Sequence, residues 1–176
     1  MEETILEKAK NVRLVIFDVD GVLTDGTLFL GDSGEEYKSF YSRDGLGMKM
    51  LQKSGIDIGI ITGRTSQVVV HRMRSLGIQH VYQGKVDKLP AFKHLCEKAA
   101  LLPEQIAYVG DDVVDVPVMK AVGLSIAVGD AHPRILPYAD WQTTAKGGRG
   151  AAREVCELLM QAQDKLDAQL ARYAVE

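Results

Sequence analysis

Cysteine is scarce in this sequence. Cys96 and Cys156 stand 60 positions apart and neither belongs to a CxxC pair. Two buried thiols are therefore expected, with a redox or metal role as the alternative. Histidine is sparse too. His71, His80, His94 and His132 show no HExxH or similar spacing, which argues against zinc. No apolar run approaches the ~18 residues that a membrane span needs, and Met1-Glu2-Glu3-Thr4 offers neither a basic n-region nor an apolar h-region. An excess of positive charge is also missing: 21 Lys+Arg stand against 24 Asp+Glu, a net charge of −3. That balance disfavours a nucleic-acid partner. The expectation is a cytoplasmic protein with no membrane or nucleic-acid role.

What is present is ordinary globular material, 46% hydrophobic and 26% charged over 176 residues. That length fits a single domain, expected here over residues 1–176. Short apolar runs at 12–17, 56–61, 106–109 and 124–128, with a weaker one near 80–82, read as buried strands. Amphipathic stretches at 46–54, 65–76, 87–100 and 114–121 read as helices between them. The alternation predicts an α/β fold, a Rossmann-like parallel sheet with helices on both faces. Residues 27–41 break the rhythm. Two strand-like pieces flank Gly31-Asp32-Ser33-Gly34, a small β-hairpin where a helix would normally follow the first strand. It carries Phe29, Tyr37, Phe40 and Tyr41, and a lone hairpin is marginal in water, so it needs the body or another subunit as support. From Gly147 a Gly-rich segment leads into a helix with Ala151, Val155, Leu158, Leu159 and Ala162 on one face. The segment and helix are expected over 147–172, and residues 164–176 read as polar and prone to fray.

The chemistry sits after the strands. Asp18-Val19-Asp20-Gly21 follows the first, and Gly110-Asp111-Asp112-Val113-Val114-Asp115 follows the third. Ligands in open parallel sheets bind beyond the carboxyl ends of the strands. A single Asp there is usually turn or cap chemistry; two clusters at equivalent ends suggest a shared pocket. Carboxylates gathered in one crevice raise each other's pKa values, and a hard divalent cation such as Mg²⁺ relieves that repulsion. Thr62, ending the second strand in Ile61-Thr62-Gly63-Arg64, offers a hydroxyl near a helix N-terminus. Lys88, in Gly84-Lys85-Val86-Asp87-Lys88, offers a cation. Taken alone, Thr62 reads as a helix cap and Lys88 as solvated surface.

In this order the four elements resemble the haloacid dehalogenase superfamily, over residues 12–130. The resemblance implies Asp18 as nucleophile, Asp20 as general acid/base, Thr62 as phosphate-binding hydroxyl, Lys88 as charge-balancing lysine and Mg²⁺ as cofactor. Asp18, the Asp20 carbonyl and Asp111 would be its protein ligands, with Asp112 and Asp115 supporting them. Asp at position 20 favours a phosphatase or phosphomutase over a dehalogenase or an ion pump. No cap domain fits between the first strand and Asp44. Together with Tyr41-Ser42-Arg43-Asp44-Gly45 and Gly147-Gly148-Arg149-Gly150-Ala151, this resembles a capless branch of homotetramers. Members act on sugar-acid phosphates such as 3-deoxy-D-manno-octulosonate 8-phosphate, in lipopolysaccharide precursor synthesis. In that branch the Gly-rich C-terminal segment reaches a neighbour's site. Substrate contacts implied are Asp20, Tyr41, Ser42, Arg43, Asp44, Gly45, Lys49, Arg64, Arg72 and Lys88. A nine-carbon sugar 9-phosphate is an alternative substrate, and a phospho-accepting receiver module a remote alternative function.

Overall fold

The computed structural model describes residues 3–174. Helix α1 (Glu3–Lys10) precedes the first strand, β1 (Leu14–Phe17). All four residues of β1, Leu-Val-Ile-Phe, are buried, as suits a strand covered on both faces. A small antiparallel pair follows, β2 (Phe29–Leu30) and β3 (Glu36–Tyr37), then α2 (Ser42–Lys53), β4 (Asp57–Ile61), α3 (Gln67–Leu76) and β5 (His80–Tyr82). After α4 (Leu89–Ala99) come β6 (Ile106–Gly110), the short α5 (Val116–Met119), β7 (Leu124–Ala127), β8 (Trp141–Gln142), α6 (Ala151–Ala162) and α7 (Leu166–Leu170).

The main sheet has six parallel strands in the order β5-β4-β1-β6-β7-β8. The chain steps outward from β1 to β4 and β5, then crosses back to β6 and steps the other way. Right-handed crossovers taken in opposite directions put the helices on opposite faces. Accordingly α6 packs with α2 and α1, while α4 meets α5. The reversal falls between β1 and β6, where an open α/β sheet has its ligand crevice. Register fixes the crevice floor: Phe17 pairs with Ile60 on one side and Val109 on the other, so the residues just beyond β1, β4 and β6 emerge side by side.

The chain departs from its sequence pattern in identifiable places. Helix α2 starts four residues earlier than its apolar periodicity suggests. Gly45 and Gly47 do not break it; they let neighbours approach. A Cβ on Gly45 would lie 2.4 Å from Arg72 Nη2, and one on Gly47 2.7 Å from Arg153 Cδ. The stretch 114–121 is helical only from Val116, after a 3₁₀ turn at Val113–Asp115. Helix α1 and strand β8 carry too little periodicity to be read in advance. Residues 164–174 are ordered into α7 and a 3₁₀ turn at Ala171–Tyr173, with Gln169 buried. In the hairpin, Phe40 packs on the core beneath the Arg72 guanidinium, 5.5 Å from its ring centre. Leu28, Phe29, Leu30 and Tyr37 remain exposed, between 45% and 66%.

Candidate active site

Three strand ends build the site. Asp18 follows β1, with its N–H donating to Val109 O at 3.1 Å. Thr62 follows β4; its N–H donates to Tyr82 O, and its carbonyl accepts from Lys85 N at 2.9 Å, drawing the loop before α4 across the crevice. That loop delivers Lys88. Asp111 follows β6. Asp18, Asp20, Thr62, Arg64, Lys88, Asp111 and Asp112 line one cavity of about 320 Å³. Val86 and Val114, both exposed, form apolar parts of its wall.

Two glycines make the approach possible. Gly21 has a positive φ of 88°, and a Cβ there would fall 2.1 Å from Asp111 Oδ2, so the loop carrying Asp18 and Asp20 lies directly against Asp111. A Cβ on Gly110 would fall 2.6 Å from the Asp115 side chain.

Lys88 is buried, 1% exposed, and fully engaged. Its Nζ lies 2.8 Å from Asp18 Oδ2, 2.6 Å from Asp115 Oδ1 and 3.2 Å from the Tyr108 hydroxyl. Tyr108 in turn donates to Asp115 Oδ1 at 2.6 Å, while Asp115 Oδ2 accepts from the N–H groups of Asp111 and Asp112 at 2.9 and 3.1 Å. A buried ammonium and a buried carboxylate persist only when paired and hydrogen-bonded, and here both are. Burial alone would lower the Lys88 pKa; Asp18 and Asp115 outweigh it and leave the value raised. Burial raises Tyr108 well above its ordinary value, and the charges of Asp115 and Asp18 add to the effect.

The remaining carboxylates are short of positive charge. Burial raises Asp18 to about 6 despite Lys88, with Asp115 adding to the rise. Asp111 rises to about 8 through burial and the charges of Asp115 and Asp18. Carboxylate oxygens of Asp18, Asp111 and Asp115 fall within 4.8 Å of one another. With both oxygens already bonded, Asp115 serves as an anchor for Lys88 and for the 111–112 backbone. Among the described residues, no donor reaches the Asp111 side chain. Asp18, although its Oδ1 accepts from the Val19 N–H at 2.6 Å and its Oδ2 from Lys88, lines the open cavity with Asp111, and the two offer a pair of hard oxygen ligands that fits Mg²⁺.

A family model for haloacid dehalogenase-like hydrolases matches residues 75–155. The 3-deoxy-D-manno-octulosonate 8-phosphate phosphatase KdsC of Escherichia coli is 55% identical over 163 residues, covering 93% of this chain and 87% of the relative. The chain belongs to the haloacid dehalogenase-like hydrolases. Among solved structures, the 3-deoxy-D-manno-octulosonate 8-phosphate phosphatase of Yersinia pestis superposes with a TM-score of 0.94 at 51% identity, covering 95% of this chain and 90% of that one. The Moraxella catarrhalis enzyme of the same name, in complex with magnesium, phosphate and KDO, gives a TM-score of 0.96 at 42% identity, with coverage of 98% and 99%. These hydrolases share the six-stranded parallel sheet described above.

The expected substrate contacts divide into three groups. Asp20, Arg64 and Lys88 line the cavity. Tyr41, Asp44, Gly45 and Arg72 surround a separate small crevice beside Leu23 and Phe40. There Asp44 is occupied by structure: it accepts from the N–H groups of Gly150 and Arg153 at 3.4 and 2.9 Å, capping the start of α6. Burial raises its pKa, against those two N–H bonds. Ser42, Arg43 and Lys49 lie exposed on α2, with the Arg43 guanidinium 5.9 Å from the Tyr41 ring centre. The helix following β4 begins at Gln67, so Thr62 is not its cap; Thr62 is buried, and its hydroxyl has no protein partner among the described residues.

The Gly-rich segment has partners within its own chain. It lies against the loop that carries Asp18 and Asp20. The Gly148 N–H donates to Val22 O at 2.8 Å, a Cβ on Gly147 would meet Gly21 O at 1.7 Å, and one on Gly148 would meet the Thr24 carbonyl carbon at 2.3 Å. Helix α6 beyond it buries eight residues, so truncation at Gly147 would remove part of the core.

Sequence reasoning missed two side chains near the cavity. Tyr108 is a polar-tipped aromatic in a fully buried strand, a signal that such a hydroxyl needs a partner. Lys38 lies one residue past β3 and two past Glu36; its partner, Asp20, lies 18 positions away and no spacing rule links them.

Proposed function

We propose that this chain is a Mg²⁺-dependent phosphoric monoester hydrolase that cleaves 3-deoxy-D-manno-octulosonate 8-phosphate to the free sugar acid and phosphate, with residues 1–176 acting as one domain. The observation that carries the reading is the convergence of Asp18, Asp111, Lys88 and Thr62 on one cavity, in a chain 55% identical to an enzyme of that name.

The roles follow from position. Asp18 attacks phosphorus in line and forms an aspartyl-phosphate. Asp20 gives a proton to the departing alkoxide and then takes one from the attacking water. Lys88, fixed by Asp115 and Tyr108, and the free Thr62 hydroxyl face the charge on the equatorial phosphoryl oxygens. Asp18, Asp111 and the Asp20 carbonyl would hold Mg²⁺, which supplies further charge neutralisation when bound. Arg64, at the mouth, suits the substrate's carboxylate. With no helix long and apolar enough to cross a membrane among the described residues, a cytoplasmic setting goes with this reading. So does a homotetramer, whose contacts would cover the exposed Leu28, Phe29, Leu30 and Tyr37.

A phosphate-release screen across sugar phosphates, with Mg²⁺ and with EDTA, tests the reading. The expected result is Mg²⁺-dependent release with the highest kcat/KM on the eight-carbon ester. Preference for a nine-carbon 9-phosphate would overturn the substrate; Mg²⁺-independent release would overturn the metal.

A further inference from the structure

Asp20 is held from outside the catalytic strands. Its Oδ1 lies 2.5 Å from Lys38 Nζ, and the Lys38 side chain is only 1% exposed. The same ammonium lies 2.6 Å from Glu36 Oε1, and Glu36 Oε2 accepts from Arg64 Nη2 at 2.9 Å. Glu36 and Lys38 are two positions apart on the hairpin, so their side chains leave the same face. Among the described residues, Asp20 Oδ2 has no partner.

We propose that Lys38 is a positioning residue that orients the Asp20 carboxyl for proton transfer, making the hairpin part of the catalytic apparatus. The proposal rests on the assignment of Asp20 as general acid/base. Asp20 sits on an irregular loop, half-buried, with two side-chain torsions to fix. One oxygen tethered to Lys38 leaves the other to exchange the proton. That proton moves from Oδ2 to the ester oxygen as the P–O bond breaks and its electron pair stays on oxygen. In the second step water returns a proton to Oδ2 as its oxygen bonds phosphorus, while the Asp18 oxygen leaves phosphorus and keeps the electron pair as carboxylate. Glu36 balances the Lys38 charge, so the tether orients Asp20 without facing it with an uncompensated cation. A buried ammonium is costly without partners, and the hairpin supplies Glu36 alongside it.

A structural role for Lys38 and a positioning role differ in leaving-group dependence. The value kcat/KM reports steps up to departure of the alcohol. An alkyl sugar phosphate needs a proton at that point; p-nitrophenyl phosphate does not. Lys38→Met is expected to lower kcat/KM for 3-deoxy-D-manno-octulosonate 8-phosphate by about 50-fold, in the range of a displaced acid catalyst, and for p-nitrophenyl phosphate by less than about threefold. Lys38→Arg should recover much of the alkyl-ester loss. If the methionine variant does not fold, Lys38→Gln carries the same comparison. Equal losses on the two esters, or no loss on either, would overturn the proposal. Wild-type protein inert on both esters would overturn the phosphatase assignment itself, a separable result.

Discussion

The cavity is supported by two groups of residues, an inner and an outer half, built on different principles. The inner half, Asp18, Lys88, Tyr108 and Asp115, is at most 6% exposed and hangs from strand ends and the helix start beside them. The outer half, Asp20, Lys38, Glu36 and Arg64, joins a loop to a two-residue-stranded hairpin, and Arg64 is 45% exposed. The inner half gathers opposite charges where water cannot screen them, so each group depends on the others. The outer half is partly solvated, so its contacts guide more than they stabilise. The proposed nucleophile is thus placed deep, and the proposed proton carrier, Asp20, sits nearer the rim.

The largest contrast should come from the nucleophile. Asp18→Asn is expected to lower turnover by at least about 10⁴-fold, measured as phosphate release, with the circular dichroism spectrum unchanged. A tenfold loss would mean the inner half does not perform the chemistry. Next, Asp115→Asn should destabilise the fold by about 3–5 kcal/mol in urea unfolding, because it breaks a buried pair and leaves Lys88 and Tyr108 short of an acceptor. Similar stability to wild type would show that Lys88 is held by Asp18 alone.

A third substitution probes the seam between the catalytic loop and the C-terminal segment. Gly148 has φ of 63° and no room for a Cβ against Thr24 and Asp25. Gly148→Ala should therefore cost more than the ~1–2 kcal/mol of the left-handed backbone alone, and a loss below that would mean the segment is readily displaced. The outer half sets the lower bound. Arg64→Ala should change stability by less than about 1 kcal/mol, even though Glu36 holds the Arg64 pKa up and the Lys38 and Arg64 hydrogen bonds hold the Glu36 pKa down.

The two halves also differed in legibility. Asp18, Thr62 and Asp111 stand next to the apolar runs that form β1, β4 and β6, so a one-dimensional pattern reports their position. Parallel register then aligns the strand ends without further information. Lys88 was readable as a cation near the crevice, although its burial was not: that follows from Tyr108 and Asp115, 20 and 27 positions away. The pairing of Lys38 with Asp20 depends on how a short hairpin folds back over a loop. No periodicity encodes such a meeting. The same limit applies to Asp44 and Arg72, whose capping of α6 and packing on Phe40 join residues far apart in the chain. In α2 the first turn lies outside the apolar periodicity, and Gly45 and Gly47 admit Arg72 and Arg153.

Charge regulation gives a smaller effect that still separates the halves. The raised Asp18 and Asp111 values, about 6 and 8 against an ordinary 3.8, mean that the metal-free folded chain binds these protons more tightly than the unfolded chain. Their contribution to stability is complete below about pH 4 and is lost as pH rises toward 8. Thermal melts in EDTA should therefore show falling stability from pH 6 to 8.5, and Mg²⁺ should raise Tm more at pH 8 than at pH 6, since it competes with those protons. A Mg²⁺ effect independent of pH would remove Asp111 from the ligand set.

The most direct test of the inner half is to catch its covalent product. Borohydride quenching during turnover with Mg²⁺ reduces an acyl phosphate to an alcohol, turning a phosphorylated Asp into homoserine. Peptide mass spectrometry is expected to find homoserine at position 18 and nowhere else, with none when substrate is omitted. Homoserine at another aspartate, or an unmodified Asp18 during active turnover, would contradict the account.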